Sequence, residues 1–304
     1  MNMRNIITKN EKDLIIEKYK NGHKIMKIAR DINRSKSGVT KVLVEAGIPR
    51  RSKDYERRKH FFDFDFFNII NTEEKAYFLG LLYSDGFITK NGNQVVISLQ
   101  ENDVDILEKF KKSIKFTGDL QYVIRPKPRK NMFRLTLSSK ECVNFLRKNG
   151  CKTNKSLTLK FPNNKILPNY LIKYFILGYF DGDGGVSYSK RKVLIATFTG
   201  TKSFLRKIKL FFKENGIDFG SISQKTNSKE MYDLQYGSTF PAAKVLDFLY
   251  KDSKIFMNRK KNKFIFVLNE LKDKNEKYNK MILPILQKRT YKETVDNILK
   301  EMEN

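Results

Sequence analysis

Between residues 8 and 51 the apolar positions recur every three or four residues in three short groups: Leu14, Ile15, Tyr19; Ile25, Ile28, Ala29, Ile32; and Val39, Val42, Leu43. That is the spacing of one face of an α-helix, repeated three times. Gly22 closes the first helix, and Ser35 can cap the third and present its start to solvent. Residues 52–72 pass from a charge run to an aromatic one and predict a linker whose FFDFDFF segment docks on the domain that follows.

From residue 73 the pattern changes. YFLGLLYSDGFI (77–88) returns 98 positions later as FILGYFDGDGGV (175–186), and a shift of 99 pairs RLTLSS (134–139) with DLQYGS (233–238). Each copy begins with a helix apolar nearly all round, hence buried, that ends at Asp-Gly. Alternating segments follow at 87–90 and 94–100, and at 187–192 and 193–199. A helix is predicted over 102–114 and 201–214, two strands over 119–125 and 132–137 and over 219–225 and 231–236, and closing helices over 139–149 and 238–249. Helix-strand-strand-helix-strand-strand-helix, written twice, is a duplication. The fold class is therefore α+β with pseudo-two-fold symmetry, preceded by an all-α domain. The expected division is 1–51, linker 52–72, repeats 73–168 and 169–268, and a helical tail 269–304; helices are read over NRKKNKFIFVLNELK (258–272) and over the Thr-, Glu- and Lys-rich amphipathic end that includes YKETVDNILKEM, separated near Pro284.

The repeated helix carries small residues at i and i+4, Gly80 with Ser84 and Gly178 with Gly182. Without side-chain bulk there, two such helices can approach backbone to backbone. Asp85 and Asp183 are then forced close together at the end of the contact. Two carboxylates so placed repel unless protonated or bridged by a cation, and a hard divalent ion satisfies them with oxygen ligands. A metal held by acids on a basic surface is an arrangement that hydrolyses phosphodiesters.

Charge sharpens this reading. Lys and Arg number 61 against 33 Asp and Glu, a net charge of +28, which calls for a polyanionic partner, above all nucleic acid. Two cysteines and two histidines build neither a disulfide framework nor a zinc site, so oxygen-bound metal is the metal chemistry left. No run of about 18 apolar residues occurs and no apolar signal centre opens the chain, so a soluble, intracellular protein without membrane contact is expected.

FLGLLYSDG (78–86) and ILGYFDGDG (176–184) resemble the paired LAGLIDADG motifs of homing endonucleases in the single-chain, two-repeat form. Residues 8–51 resemble the helix-turn-helix of resolvase-like DNA-binding domains. The first resemblance implies a monomeric, site-specific endonuclease for double-stranded DNA, dependent on Mg²⁺ or another hard cation such as Mn²⁺ or Ca²⁺, with no obligate protein partner. It makes Asp85 and Asp183 the catalytic acids, with the carbonyls of Ser84 and Gly182 as further ligands. Position six of the motif, Tyr83 in one copy and Asp181 in the other, departs from the family without touching the essential acid. A basic residue after each closing helix, Lys155 and Lys254, is expected at the cleft to polarise water or neutralise phosphate. DNA-facing residues are expected at Gln100, Arg125, Lys127, Arg129, Lys130, Lys190, Arg191, Lys192, Gln224 and Lys225. The second resemblance puts Lys36, Ser37, Thr40 and Lys41 on a major-groove helix, with Arg50 and Arg51 following on the backbone. A transcription regulator built on a degenerate nuclease and an RNA-binding intron maturase are the competing functions; retention of both aspartates opposes the former, and the helix-turn-helix the latter.

Overall fold

The computed structural model describes residues 7–51, 59–151, 159–226, 228, 230–272 and 276–287, in two units, Met1–His60 and Phe61–Asn304. In the first unit, α1 (Lys9–Lys20), α2 (Ile25–Asp31) and α3 (Lys36–Glu45) enclose a core of Ile15, Tyr19, Ile25, Ile28, Ala29, Val39, Val42 and Leu43. Thr8 Oγ1 accepts from the Glu11 N–H while the Glu11 carboxylate accepts from the Thr8 N–H, satisfying two donors that a helix start leaves orphaned. Gly22, at φ +89°, ends α1, and Ser35 Oγ accepts from the Gly38 N–H to open α3. Leu14 lies 39% exposed, because Ile15 and Tyr19 alone share the buried face of α1. Arg34 donates from Nε and Nη2 to the two Glu11 oxygens at 3.0 and 2.9 Å, tying the turn before α3 to the start of α1.

The second unit contains both repeats. In the first come α4 (Glu73–Ser84), β1 (Gly86–Ile88), β2 (Gln94–Gln100), α5 (Val104–Ser113), β3 (Gln121–Val123), β4 (Met132–Ser138) and α6 (Lys140–Lys148). The second gives α7 (Ile172–Asp183), β5 (Gly184–Tyr188), β6 (Leu194–Gly200), α8 (Lys202–Glu214), β7 (Ser221–Gln224), β8 (Tyr232–Tyr236) and α9 (Thr239–Tyr250). Each half forms an antiparallel sheet, ordered β1-β2-β4-β3 and β5-β6-β8-β7. The element order is the predicted one; β5 starts three residues earlier than expected, immediately after Asp183, and β3 is shorter.

Period-two alternation fixes the two faces of each sheet. Val95, Ile97, Leu99, Leu135 and Leu137, and in the other half Leu194, Ala196, Phe198, Leu234 and Tyr236, face the helices and are buried. Ser98, Arg134 and Thr136, with Thr197, Thr199, Asp233 and Gln235, occupy the opposite faces.

α4 and α7 run parallel with almost nothing between them. A Cβ on Gly80 would fall 2.0 Å from the Phe175 carbonyl oxygen and 2.9 Å from the Tyr179 nitrogen; one on Gly178 would fall 1.9 Å from the Tyr77 oxygen and 3.0 Å from the Leu81 nitrogen. Shifting each residue by 98 exchanges the two sets of contacts, so a pseudo-two-fold axis passes through this seam.

Two boundaries differ from expectation. Phe62, Phe66, Phe67 and Ile70 belong to the second unit's core, which begins at Phe61 rather than at 73. After the repeats, α10 (Asn258–Lys272) is the helix expected over 258–272; the expected repeat end at 268 falls inside it, with Leu271 still buried, and α11 (Glu276–Leu286) follows. Pro284 lies inside α11 instead of separating two helices: its missing N–H costs a bond in the last turn only. YKETVDNILKEM lies outside the described residues. Among the described residues no helix is long and apolar enough to cross a membrane.

Candidate active site

Asp85 caps the C-terminus of α4 and Asp183 is the last residue of α7, so the parallel seam delivers both to one end. There Gly182 lies against α4 so closely that a Cβ would meet Ser84 Oγ at 1.8 Å and Asp85 Oδ2 at 2.4 Å. Asp85 is half-buried and Asp183 exposed. The Tyr179 hydroxyl, which donates to the Thr199 carbonyl at 2.6 Å, has its pKa raised by burial and then by the negative charges of Asp183 and Asp85. Among the described residues no group of three or more His, Cys, Asp and Glu gathers. The donor set at the seam is two carboxylates and the carbonyls beside them, hard oxygen ligands that suit Mg²⁺ or Ca²⁺ and leave coordination positions to water and phosphate.

Lys260, on the first turn of α10, went unnoticed in the sequence, where it is one lysine in the run NRKKNK. Its Nζ donates to the carbonyls of Phe180 at 2.7 Å, Gly182 at 3.2 Å and Gly184 at 2.6 Å. These carbonyls lie at and just past the α7 C-terminus, where a cation is favoured; the Phe180 oxygen also accepts from the Gly184 N–H. Burial pulls the ammonium down to about 8 even though the Asp181 and Asp85 charges act to hold it up. The carbonyl of Gly182, expected as a metal ligand, is thus shared with this ammonium.

Position six of the motif holds the framework in both copies. Asp181, buried, accepts from the Tyr77 hydroxyl at 2.6 Å, from the Met257 N–H at 2.7 Å and, at 3.4 Å, from the Tyr250 hydroxyl, joining α7 to α4, α9 and the approach to α10. Burial raises its carboxyl to about 6. Tyr83, the counterpart in the first copy, donates instead to the Asn149 carbonyl at 2.5 Å. Beside Lys260, Arg259 donates from Nε and Nη2 to Asp103 at 2.7 and 2.8 Å, fastening α10 to the first repeat.

Lys254 is not at this end. It lines a cavity of about 380 Å³ with Thr72, Glu73, Glu74, Tyr77, Tyr174 and Ile255, at the start of α4. From Tyr77, the lining residue farthest along α4, the helix rises about 12 Å more, at 1.5 Å per residue, before it reaches Asp85. The chain reaches the acids only after another turn, at Lys260, which corrects the assignment to Lys254. Lys155 lies outside the described residues.

Of the other expected contacts, Gln100 is exposed at the end of β2 nearest the acids, since Ile97 pairs with Gly86. Arg125, half-buried with Nη1 on the Met132 sulfur, and exposed Lys127, Arg129 and Lys130 occupy the β3–β4 connection; Lys190, Arg191 and Lys192 form the β5–β6 tip, a strand's length from Asp183. Gln224 and Lys225 end β7, with Lys225 Nζ 3.5 Å from Asp233. In the first unit Lys36, Ser37, Lys41 and Arg50 are exposed and Thr40 half-buried. Arg51 turns inward: its guanidinium donates to the Tyr19 and His23 carbonyls and lies over the Tyr19 ring at 4.1 Å.

Comparison with known proteins adds a family. Residues 171–247 match the LAGLIDADG-like domain. An uncharacterized protein of Methanocaldococcus jannaschii, MJ0314, is 25% identical over 168 residues, 53% of this chain and 61% of its own length, so the chain spans about three fifths of that relative. Two similar solved structures are the meganuclease I-AabMI bound to uncleaved DNA (15% identity, TM-score 0.43, 69% of this chain and 96% of that one) and I-SmaMI bound to an uncleaved DNA target with calcium ions (11%, 0.45, 71% and 98%).

Proposed function

Starting from a chain that carries a LAGLIDADG-like domain over residues 171–247 and a second copy of its elements over 73–148, we propose that the protein is a site-specific endonuclease that hydrolyses double-stranded DNA. The reciprocal glycine seam carries this reading, because it exists to bring Asp85 and Asp183 to one axis, one acid for each strand.

Asp85 and Asp183, with the Ser84 and Gly182 carbonyls, would hold divalent cations. When bound, such an ion lowers the pKa of a water and neutralises charge on the scissile phosphate. The chain's own contribution is placement. The seam fixes the spacing of the carboxylates, and the Lys260 ammonium steadies the α7 terminus that carries Asp183 while adding positive potential where a phosphate arrives. The helix-free faces of the two sheets supply a polar surface for the major groove. The three-helix unit extends the recognised sequence through Lys36, Ser37, Thr40 and Lys41, with Arg50 on the phosphate backbone; Arg51 serves that unit as an internal strap.

The test is cleavage of a randomised duplex library with Mg²⁺. Cut products should share a sequence, and Asp85→Asn or Asp183→Asn should abolish double-strand cutting while retaining affinity. Tight, sequence-specific binding with no cleavage under any divalent cation would overturn the nuclease reading in favour of a regulator.

A further inference from the structure

The two sheets are alike in register and unlike in charge at one pair of positions. In the first, Ile97 pairs with both Gly86 and Leu135, and the next rung pairs Ser98 with Arg134. In the second, Phe198 pairs with both Gly184 and Leu234, and the next rung pairs Thr199 with Asp233. Arg134 and Asp233 are therefore topologically equivalent, on the faces turned away from the helices and one rung beyond the glycines that follow the acids. The 99-residue shift that aligns RLTLSS with DLQYGS pairs the same two residues.

Both side chains are held in place. Arg134 Nε donates to Ser98 Oγ at 3.2 Å, a contact that uses neither Nη atom. Thr199 Oγ1 donates to Asp233 Oδ1 at 2.6 Å, and Lys225 Nζ lies 3.5 Å from the same oxygen; Oδ2 is used in neither contact. Both of those donors meet Oδ1; on a surface meant for phosphates, in a chain of net charge +28, the remaining oxygen, Oδ2, opposes binding unless it too meets a donor. In the major groove the donors are the cytosine N4 and adenine N6 amino groups. Adenine sets its N7 lone pair beside N6, which repels a carboxylate, so cytosine is preferred. An arginine presented to the same groove pairs with guanine O6 and N7.

We propose that Arg134 and Asp233 are a pseudo-dyad pair of base readers of opposite preference, guanine for Arg134 and cytosine for Asp233, which makes the target's two half-sites non-palindromic at that position. The proposal rests on the DNA-binding reading above. A palindrome would place guanine at both dyad-related bases; this chain asks for guanine at one and cytosine at the other.

Duplex pools randomised over the target and selected for binding with Ca²⁺ test it, using full-length protein, Arg134→Ala, Arg134→Gln, Asp233→Asn and Asp233→Arg, with thermal melting to show that each variant folds. The wild type should select guanine and cytosine at one dyad-related pair of bases. The Arg134 variants should lose about tenfold or more of the guanine preference there, with other positions unchanged. Asp233→Asn should lose the cytosine preference, and Asp233→Arg should replace it by guanine, so that this pair of positions becomes palindromic. Binding that weakens equally on all sequences, or base preferences that no variant alters, would overturn the assignment while leaving the nuclease reading intact. Absence of any duplex binding by the wild type would overturn both.

Discussion

Lys260 reaches three carbonyl oxygens at the junction of α7 and β5, those of Phe180, Gly182 and Gly184, and it does so from a buried position that lowers its affinity for the proton. Replacing it by methionine keeps most of the stem's packing and removes the donors. Lys260→Met should destabilise the second unit by about 1–3 kcal/mol, read from denaturant midpoints, and slow cutting by more than it weakens binding. Glu11 gives a prediction of opposite kind. The Arg34 hydrogen bonds first, then the Thr8 N–H, hold its carboxyl down to about 2, against an ordinary value of 4.5. A depressed carboxyl contributes stability that is present above pH 4.5 and lost as pH falls from there toward 2. Amide NMR signals of residues 9–45 in the full chain should therefore show a denaturant midpoint that falls across that window, and Glu11→Gln should flatten the fall.

At the scale of elements, α4 and α7 touch backbone to backbone, so the smallest side chain is too large for their interface. Gly178→Ala places a methyl 1.9 Å from the Tyr77 oxygen, and the helices must part along their whole contact. A loss of roughly 3 kcal/mol is expected, measurable by chemical denaturation, at the upper end of what overpacking costs. The end of the seam offers a sharper test, because Ser84 fills the place that Gly182 leaves empty. Gly182→Ser alone should destabilise, and Ser84→Gly added to it should recover most of the loss, since the pair then mirrors the natural arrangement across the pseudo-dyad. These helices were legible because a helix apolar on every side, with glycine on one stripe, has few uses apart from close burial. The strands were legible through alternation, which also fixed that residues 98, 134, 199 and 233 face away from the core. Pro284 misled for a local reason: proline ends helices at their interiors, and here the lost bond falls in the last turn.

For the whole molecule, a net charge of +28 spread over two units predicts affinity that falls steeply with salt. The slope of log affinity against log salt should drop when residues 1–51 are removed, and the protected DNA footprint should shorten, while the remaining unit keeps its Asp85- and Asp183-dependent cutting. Each unit has a core of its own, which makes that removal tolerable.

Taken alone, the sequence determined the duplication, the order of elements, the buried helices and the two acids, because each of these is written in local periodicity or repeated spelling. What the tertiary structure decided is which of 61 basic residues lies at the end of the seam. Lysines 254 and 260 lie six residues apart, yet one lines a cavity at the start of α4 and the other meets the end of α7, since the non-helical residues 255–257 between them carry the chain toward the other end of the seam. It also decided that Asp181 is a framework joint and that Arg51 folds inward. Charge and residue type are properties of single positions; the partner each one finds depends on contacts 28 to 104 residues distant, which no local pattern encodes.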